Sequence, residues 1–508
     1  MLQCLKIQYL LEIRLCLFLG DNMSWIDFFN KVSLNEPGKT AIVDQSTGIR
    51  WSYRKLRLEV DRWACFFQGT GIVKGDRVAL LAKNRLEHIS IFFALAHLGA
   101  IFVPLNWRLS KDELQEILKR IDPEFFIYDE DHELKFDKKQ IDLRIWSLPS
   151  AYKFRSVHTS KRDPLLMLFT SGSTGNPKGV LFHGEMLEAN QWATVKEWGL
   201  RKEDVSIVET PFFHTGGYNV LLLPLLLIGG TLILSKGFDQ KGTLELIEKE
   251  KVSIYFGVPT MFQRLSECPI FLKINFKKVR FLISGGAPCP ENLINLYQSR
   301  GVSFRQGFGM TEVGPNCFSL GEKYAISKMG SIGKPMKHTR VMVLKKNGEY
   351  AKVDEVGELL LAGPHVCLGY YKQENLFSDS KKGEFFKTGD LVKFDKDGFF
   401  YVVGRSKEMY ISGGENVYPG EVEKALKEIP LIDEVAVVSV PSSEWGEVGY
   451  AFYRGEKEVD LITVRKWLNN SLCRFKHPGY LKMVKEFPLL GSGKIDKHSL
   501  RSQALEGL

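Results

Sequence analysis

The sequence contains no Cys-x-x-Cys pair, although eight cysteines are spread over its 508 residues. Clustered cysteines are typical of zinc sites and of the disulfide frameworks of small secreted proteins. Scattered cysteines instead favour reduced thiols in a cytoplasmic protein. The chain also lacks a dense block of lysine and arginine, so its net charge of +9 favours polyanionic small ligands or an anionic membrane surface over nucleic acid.

No long apolar segment has the features of a membrane span. Residues 210–235 carry no formal charge, but two glycine pairs and a proline interrupt them, and basic or aromatic belts are missing. We predict that this stretch forms a helix, a turn and the strand 231–234 in the core. Charged residues also interrupt the apolar segment of residues 1–22, which we expect to be a non-native extension preceding a true start at Met23.

Strand and helix signals alternate through the first two-thirds of the chain. Ser110, followed three residues later by Glu113, forms a capping-box pattern that predicts a helix start. The predicted helices span 86–98 and 110–121, and the predicted strands lie near 78–81, 100–103, 125–128, 205–209, 231–234, 252–256 and 279–284. This alternation predicts α/β layers with largely parallel sheets.

The pattern changes after about residue 340. Short strands at 358–362, 391–394 and 399–403 predict a β-rich subdomain. The last hundred residues predict helix 419–428, strand 434–440, helix 461–472 and a C-terminal loop, which is an α+β arrangement. We therefore predict an α/β protein with a large N-terminal domain, residues 23–404, that includes the β-rich subdomain, and a small α+β domain, residues 405–508.

The most distinctive stretch is Thr170–Gly179, which follows an apolar run typical of a buried strand. Three glycines and four hydroxyl side chains form a loop whose backbone amides can turn toward an anion, and Lys178 adds a positive charge. It is not the usual P-loop, because the lysine stands between Pro177 and Gly179. Taken alone, the stretch fits either a phosphate-binding loop or a surface turn.

Several later stretches also carry chemistry, and each has a purely structural interpretation. These interpretations are a helix entry with packed aromatics at 212–217, a tight turn at 284–288, an Asx turn at 387–391 and a solvated tail at 491–497. Residues 306–312 are not a dinucleotide fingerprint, because Glu312 stands where the third glycine would be. Residues 404–419 form a long charged and glycine-containing stretch that begins at the predicted domain boundary.

Together and in this order, these stretches resemble the motifs of the AMP-forming adenylating superfamily, which contains acyl-CoA synthetases, stand-alone adenylation domains and luciferases. The resemblance runs from about residue 25 to the end of the chain. It implies an acid–thiol ligase that uses ATP, Mg²⁺ and coenzyme A. The implied reaction activates a carboxylic acid as an acyl-adenylate and then transfers the acyl group to a thiol.

The resemblance also implies a role for each matching residue. Glu312 is expected to hold Mg²⁺, Lys494 to serve as the adenylation lysine and His214 to lie beside the reacting carboxyl group. Phe308 is expected to stack on adenine, Thr311 to meet the α-phosphate, and Asp390 and Arg405 to bind the ribose. The other expected nucleotide-binding residues are Thr170, Ser171, Gly172, Ser173, Thr174, Gly175, Lys178, Gly285, Gly286, Ala287, Gln306, Gly307 and Gly309.

The same resemblance implies motion of the C-terminal domain. Lys407 corresponds to the hinge, and Gly413 and Gly414 correspond to the turn that lines the pantetheine tunnel. By the family's mechanism the domain rotates between the two half-reactions, so that Lys494 serves the first and the glycine turn serves the second.

The acid and its acceptor are less well defined. No aspartate lies in 212–217 to pair with an amino group, which favours a plain acyl or aryl acid. The apolar stretches 218–227 and 255–261 favour a medium or long fatty acid and a role in lipid metabolism, with an aryl acid as the alternative. The acceptor is expected to be coenzyme A, or else a separate acyl carrier protein.

Two other classes of protein remain open at this point. One is a non-catalytic acyl or nucleotide binder, and the other is a membrane-embedded lipid transporter that uses residues 210–235 as a span. We expect a cytoplasmic enzyme with at most peripheral membrane association and no nucleic-acid partner.

Overall fold

The computed structural model describes residues 25–129, 134–145, 147–148, 153–170, 177–287, 289–412, 415–469, 471–490 and 493–508. Contacts divide the chain into two compact units. The first unit contains residues 1–287, 292–317 and 364–374, and the second contains residues 288–291, 318–363 and 375–508.

The helices of the described residues are α1 (Trp25–Asn35), α2 (Tyr53–Gly69), α3 (Leu86–Leu98), α4 (Lys111–Ile121), α5 (Gly184–Glu197), α6 (Thr215–Asn219), α7 (Leu222–Ile228), α8 (Gln240–Lys249), α9 (Pro259–Glu267), α10 (Glu291–Ser299), α11 (Glu374–Asp379), α12 (Pro419–Lys427), α13 (Leu461–Leu468) and α14 (Lys497–Glu506). Single 3₁₀ turns occur at Phe271–Lys273, Phe276–Lys278, Thr311–Val313, Glu322–Tyr324 and Arg474–Lys476. None of these helices combines the length and the apolar character that a membrane crossing requires.

The strands up to residue 319 are β1 (Thr40–Asp44), β2 (Arg50–Ser52), β3 (Arg77–Leu81), β4 (Ile101–Leu105), β5 (Phe125–Tyr128), β6 (Lys139–Asp142), β7 (Pro164–Thr170), β8 (Lys178–His183), β9 (Val205–Val208), β10 (Thr231–Leu234), β11 (Ile254–Gly257), β12 (Phe281–Ser284), β13 (Ser303–Met310) and β14 (Gly314–Ser319). The later strands are β15 (Lys334–Pro335), β16 (Arg340–Leu344), β17 (Gly357–Ala362), β18 (Gly369–Tyr370), β19 (Lys381–Lys382), β20 (Phe385–Phe394), β21 (Phe400–Arg405), β22 (Tyr410–Ser412), β23 (Glu415–Val417), β24 (Glu434–Ser442), β25 (Gly446–Arg454) and β26 (Tyr480–Met483).

Three sheets built mainly from parallel strands organise the first unit. The largest has the order β18-β8-β7-β4-β3-β5-β6, in which β7, β4, β3, β5 and β6 run parallel. A second sheet, β2-β1-β10-β9, is parallel from β1 to β9, and β11, β12 and β13 run parallel in a third. The predicted α/β layers with largely parallel sheets are confirmed.

Helix α4 shows how the sequence pattern produces this packing. Its apolar residues recur at helical spacing, and Leu114, Ile117, Leu118 and Ile121 are buried in one core cluster with residues of β3, β4 and β5. The predicted capping box is also present, because the Ser110 side chain accepts from the Glu113 amide while the Glu113 side chain accepts from Ser110.

The second unit contains two antiparallel-rich sheets. One has the order β16-β17-β20-β19 with β21 on β20, and the other has the order β23-β22-β25-β24 with β26 on β25. Helices α12 and α13 cover one face of the second sheet around Val422 and Val464. On the other side, Leu500 and Ala504 of α14 pack against β24 and β25.

One predicted element is wrong. The C-terminal loop that the sequence pattern indicated contains helix α14, Lys497–Glu506. This helix is mostly polar and buries only Leu500 and Ala504, so it carries little of the periodicity that marks an amphipathic helix. Asp496 is the N-cap of this helix, because its carboxylate accepts hydrogen bonds from the backbone amides of His498 and Ser499.

A buried carboxyl group joins three elements of the first unit. Glu209, which directly follows β9, lies 2.7 Å from Thr243 Oγ1 on α8, and it accepts from the Tyr255 hydroxyl on β11 at 2.8 Å. Thr243 Oγ1 also lies 2.7 Å from the Asp239 carbonyl oxygen. A hydroxyl has one proton, so satisfying both Thr243 contacts requires Glu209 to be protonated and to donate. Burial raises the pKa of Glu209 to about 7, although the Tyr255 hydroxyl opposes the rise.

The Glu209→Gln variant should therefore be more stable than the wild type at alkaline pH. The pKa of Glu209 is 4.5 in the unfolded chain and about 7 in the folded protein. The stability that protonated Glu209 contributes is therefore fully present below pH 4.5 and is lost as the pH rises through about 7. The loss is on the order of 3 kcal/mol. Glutamine keeps both contacts at every pH, because its amide donates to Thr243 and its carbonyl accepts from Tyr255.

Urea unfolding at about pH 5 and about pH 8 checks this expectation. The difference in unfolding free energy between Glu209→Gln and wild type should move in favour of the variant as the pH rises. Glu245→Gln, on the exposed face of the same helix as Thr243, is the control and should show no such change. A pH-independent difference for Glu209→Gln would contradict the assignment.

Candidate active site

The base of the predicted phosphate loop is a two-stranded hairpin. Strand β7 ends at Thr170, strand β8 begins at Lys178, and these two residues are antiparallel partners. The pairing fixes where the loop leaves and re-enters the sheet, and it places Lys178 at the loop's base. The predicted loop residues lie outside the described part of the chain, namely Ser171, Gly172, Ser173, Thr174 and Gly175.

Tyr370, which the sequence analysis did not identify, contacts both Lys178 and Glu312. The Lys178 Nζ lies 4.8 Å from the centre of the Tyr370 ring. The Tyr370 hydroxyl donates to Glu312 Oε1 at 3.0 Å, and both residues are buried. The local signal is an aromatic pair, Tyr370-Tyr371, which a sequence pattern does not distinguish from an ordinary packed strand. Tyr370 therefore brings together two residues that were predicted from separate motifs.

The segment that carries Glu312 turns sharply at the end of a strand. Strand β13 ends at Met310, and Thr311–Val313 form a single 3₁₀ turn. A β-carbon on Gly309 would lie 2.3 Å from the Gly314 carbonyl oxygen, so only glycine permits this close approach. Phe308 and Thr311 are half-buried, which leaves part of the ring and part of the hydroxyl side chain exposed beside the buried carboxylate.

Three parallel strands lie side by side near this turn, and two of them, β11 and β12, end there. Gly257 on β11 pairs with Ser284 on β12, and Ser284 pairs with Gln306 on β13. The predicted residues Gly285, Gly286 and Ala287 follow the carboxyl end of β12 directly, whereas Gly307 lies within β13, next to Gln306. Gly286 and Ala287 are exposed, whereas Gln306 is buried. Carboxyl ends of parallel strands are where α/β proteins usually bind ligands.

The ring of Phe256 contacts two glycine motifs that are distant in sequence. A β-carbon on Gly285 would lie 3.0 Å from Phe256 Cε2, and one on Gly216 would lie 3.3 Å from Phe256 Cε1. The half-buried ring therefore lies against the backbone of both glycines. This contact brings the predicted carboxylate segment, 212–217, to the same strand edge as Gly285.

His214 lies at the start of helix α6, two residues before Gly216. It is half-buried, and its ring centroid lies 4.5 Å from that of the buried Phe213. The structure thus places His214 on the segment that reaches Phe256. The expectation that it lies beside a reacting carboxyl group stays a prediction.

The expectation that residues 218–227 form the wall of an acyl pocket stays a prediction. Tyr218 is fully buried and its ring centroid lies 4.7 Å from that of Phe212. The leucines of α7 are at most 4% exposed, and they pack among α1, α5 and β10. Their burial shows that this stretch belongs to the core, as predicted for residues 210–235.

In the second unit, Asp390 and Arg405 form an ion pair across two strands. They are antiparallel partners on β20 and β21, and Arg405 Nε lies 2.7 Å from Asp390 Oδ1. Arg405 Nη1 also donates to the Thr388 carbonyl at 3.2 Å. Asp390 is buried and Arg405 is exposed, so the pair presents its guanidinium to solvent. Lys407, the predicted hinge residue, is exposed two residues beyond β21.

Lys494 shares this electrostatic environment within the second unit. The surrounding protein and the nearby Arg405 guanidinium lower the pKa of the Lys494 ammonium, whereas Asp390 and Glu408 act in the opposite direction. Lys494 remains partly in contact with solvent. The structure therefore groups Lys494 with Asp390 and Arg405, three residues that were predicted from three separate motifs.

Lys497 anchors the segment that carries Lys494. Its Nζ lies 2.7 Å from Glu408 Oε2 and 2.8 Å from Glu423 Oε1. Burial opposes its charge, but the two carboxylates raise the pKa of Lys497. These contacts tie the start of α14 to the segment after Lys407 and to α12. The predicted tunnel residues Gly413 and Gly414 lie outside the described residues.

Two family models match this chain. The model described as AMP-binding enzyme matches residues 29–371, and the model described as AMP-binding enzyme C-terminal domain matches residues 421–494. A feruloyl-CoA synthase from Amycolatopsis sp is 34% identical over 478 residues, which cover 92% of this chain and 96% of that protein. A long-chain-fatty-acid–CoA ligase from Mycobacterium tuberculosis is 32% identical over 501 residues, with 95% and 98% covered.

A solved structure has the same fold. The o-succinylbenzoate CoA synthetase from Bacillus subtilis, in complex with its acyl-adenylate intermediate, aligns with a TM-score of 0.85 at 26% identity. The alignment covers 93% of this chain and 97% of the other. These matches agree with the hairpin below the Thr170–Gly179 loop, the turn that carries Glu312, and the Asp390–Arg405–Lys494 group. The chain belongs to the AMP-binding enzyme family and is an AMP-forming acyl-CoA ligase.

Proposed function

We propose that the acid activated by this ligase is an aromatic carboxylic acid with a short side chain, of the arylpropenoic or arylacetic type. The observation that supports this most strongly is Phe256, whose half-buried ring lies against Gly216 and Gly285. A flat ring flanked by two residues without side chains suits a planar substrate, because aromatic rings gain from offset or edge contacts.

The burial of residues 218–227 in the core also favours this choice over a fatty acid. A long alkyl chain needs an apolar tunnel, and these residues were the predicted wall of that tunnel. The feruloyl-CoA synthase and the o-succinylbenzoate CoA synthetase, both similar to this chain, are named for aromatic acids. The fatty-acid–CoA ligase of similar identity makes alkyl acids the necessary comparison in any assay.

In the proposed first half-reaction, a carboxylate oxygen of the acid attacks the α-phosphorus of ATP. The new C–O–P linkage forms as the bond to pyrophosphate breaks, which yields acyl-adenylate and pyrophosphate. Both reactants are anions, so positive charge must be in place beforehand. We assign this charge to Lys178 and Lys494 and to amides of the Thr170–Gly179 loop, and we assign Asp390 and Arg405 to the ribose.

The residues around Glu312 fit a magnesium ion that is held largely by substrate. Mg²⁺ prefers oxygen ligands and is often bound by one or two carboxylates together with phosphate oxygens. Glu312 supplies one buried carboxylate, and the described residues contain no cluster of three or more acidic, histidine or cysteine side chains suited to a metal. Bound in this way, the ion would neutralise phosphate charge.

In the second half-reaction, the thiol of coenzyme A attacks the acyl carbonyl, a thioester forms and AMP leaves. We propose that the C-terminal lobe turns about Lys407, so that Lys494 withdraws and the Gly413-Gly414 turn admits the pantetheine arm. Coenzyme A is the acceptor used by the family. A separate acyl carrier protein is the alternative acceptor.

Lys494→Ala should abolish acyl-adenylate formation while thioester formation from supplied acyl-adenylate stays close to wild type. The lysine charge is needed where two anions meet and not where a neutral thiol attacks. Pyrophosphate release measures the first step, and thioester formation measures the second. Lys494→Arg is the matched control and should keep part of the first activity, with its alkaline limb at higher pH because the pKa of Lys494 is lowered. Equal loss of both steps in Lys494→Ala would refute this role.

Gly414→Leu should show the opposite pattern. A branched side chain at this position is expected to block a thin ligand, so adenylation should continue while coenzyme A turnover falls at least about tenfold. Gly414→Ala, with a smaller side chain, should retain more turnover. Normal coenzyme A turnover in Gly414→Leu would rule out the proposed tunnel.

Phe256→Ala should change the preference among acids. Removing the ring leaves room beside Gly216 and Gly285, so kcat/KM should fall for unsubstituted aryl acids by about ten- to a hundredfold and fall less for bulkier ring-substituted acids. Pyrophosphate release with a panel of aryl and alkyl acids measures this. Leu223→Ala, in the fully buried α7, is the control and should lower stability without changing the order of substrates. If Leu223→Ala alone changed the preference among alkyl acids, the fatty-acid alternative would be favoured.

A further inference from the structure

We infer that Tyr370 is a positioning residue that holds Lys178 and Glu312 apart in the absence of nucleotide, which keeps one available for phosphate and the other for Mg²⁺. This inference rests on the proposed roles of Lys178 and Glu312, and it adds Tyr370 to the residues that prepare the site for substrate. It is carried by two contacts made by different parts of one buried side chain.

The first contact is between the ring and the lysine. Lys178 Nζ lies 4.8 Å from the ring centre, within the distance at which the negative face of an aromatic ring attracts a cation. Such an interaction is weaker than an ammonium–phosphate contact. The ring can therefore hold the ammonium in the absence of substrate and release it when phosphate arrives.

The second contact is between the hydroxyl and the carboxylate. The Tyr370 hydroxyl donates to Glu312 Oε1 at 3.0 Å. A carboxylate has about four lone-pair sites on two oxygens, so a single hydrogen bond can fix the orientation of the group without using all of them. Because Glu312 is only 7% exposed, its alignment depends on protein partners more than on water.

Without this arrangement, the two ionic groups would tend to pair with each other. Opposite charges attract strongly in a partly buried site, and breaking such a pair costs free energy that substrate binding would have to supply. A direct Lys178–Glu312 ion pair would lower the affinity for both phosphate and Mg²⁺. Tyrosine prevents this by giving each ion a partner of its own.

The backbone holds Tyr370 in place on both sides. The Cys367 amide donates to the Glu312 carbonyl at 2.8 Å, and the Tyr371 amide donates to the Gly179 carbonyl at 2.7 Å. Between them, Gly369 and Tyr370 form strand β18, which pairs with Leu181 and Val180 of β8. The segment 367–371 is thus bonded to the residue next to Lys178 and to Glu312 itself, which leaves the tyrosine little freedom to move away from either.

Two substitutions separate the two contacts. Tyr370→Phe removes the hydroxyl and keeps the ring, whereas Tyr370→Leu removes both. Tyr371→Phe serves as the matched control. Tyr371 donates its backbone amide to the Gly179 carbonyl, and this bond does not depend on its side chain. Thermal unfolding of every variant establishes that it folds.

The measurements are equilibrium binding of ATP and of AMP by calorimetry, with and without Mg²⁺, and the Mg²⁺ dependence of pyrophosphate exchange. Tyr370→Phe should require about tenfold more Mg²⁺, because the hydrogen bond to the charged Glu312 is lost. Its affinity for AMP should stay within about twofold of wild type. Tyr370→Leu should also bind ATP without Mg²⁺ about tenfold more weakly, since Lys178 is then free to pair with Glu312.

A double variant tests the pairing itself. Lys178→Gln should weaken ATP binding in the wild-type background but add little further loss to Tyr370→Leu, because the lysine is already withdrawn. Full additivity of the two losses would contradict the inference. So would unchanged Mg²⁺ dependence in Tyr370→Phe, or an equal loss of AMP and Mg²⁺–ATP binding accompanied by a lower melting temperature, which would indicate a merely structural role.

These outcomes are distinct from failure of the proposed site. If Lys178→Gln and Glu312→Gln each leave ATP binding and Mg²⁺ dependence unchanged, the roles assigned to those two residues fail and the inference fails with them. If those variants are impaired and Tyr370→Phe is not, only the inference about Tyr370 fails.

Discussion

The repulsion between two anions is the constraint on which the arrangement of this enzyme depends. A carboxylate must reach the phosphorus of a polyphosphate, and in water the two repel each other. In the proposed mechanism, positive charge is in place before the reaction, because groups that must move into position during the reaction add to its barrier. A cation that is held beside a carboxylate, however, tends to form an ion pair with it. Tyr370, with its ring on Lys178 and its hydroxyl on Glu312, addresses that second difficulty.

The fold supplies the groups by ending several strands at one edge. Strands β11, β12 and β13 are parallel, so the residues that follow β11 and β12 lie beside Gln306 of β13 without long loops. The same edge receives Gly216 through its contact with Phe256. In the second unit, the Asp390–Arg405 pair and Lys494 are brought together by an antiparallel pair of strands and by the Lys497 ion pairs. Each unit therefore assembles its own cluster.

Much of the fold could be predicted from the sequence, because its helices and strands carry strong local signals. Helix α3 begins and ends at the predicted residues, and the Ser110–Glu113 capping box is present. Helix α14 was missed because it buries only two of its residues. The apolar run 218–227 is core, as predicted, but hydrophobicity alone does not show whether a buried stretch also lines a pocket.

Contiguous motifs such as Thr170–Gly179 and 306–312 could be recognised from the sequence, and the roles assigned to their residues stay predictions. Contacts between distant segments could not be recognised in this way. Tyr370 touches residues from two other motifs, and Phe256 touches glycines from two more, so neither is marked by its neighbours in sequence. The central claim of the account is that a carboxylate oxygen bonds to the α-phosphorus of ATP. Turnover of an aryl acid labelled with ¹⁸O in its carboxylate tests this most directly. The account predicts one labelled oxygen in each AMP released and none in pyrophosphate, whereas unlabelled AMP would contradict it.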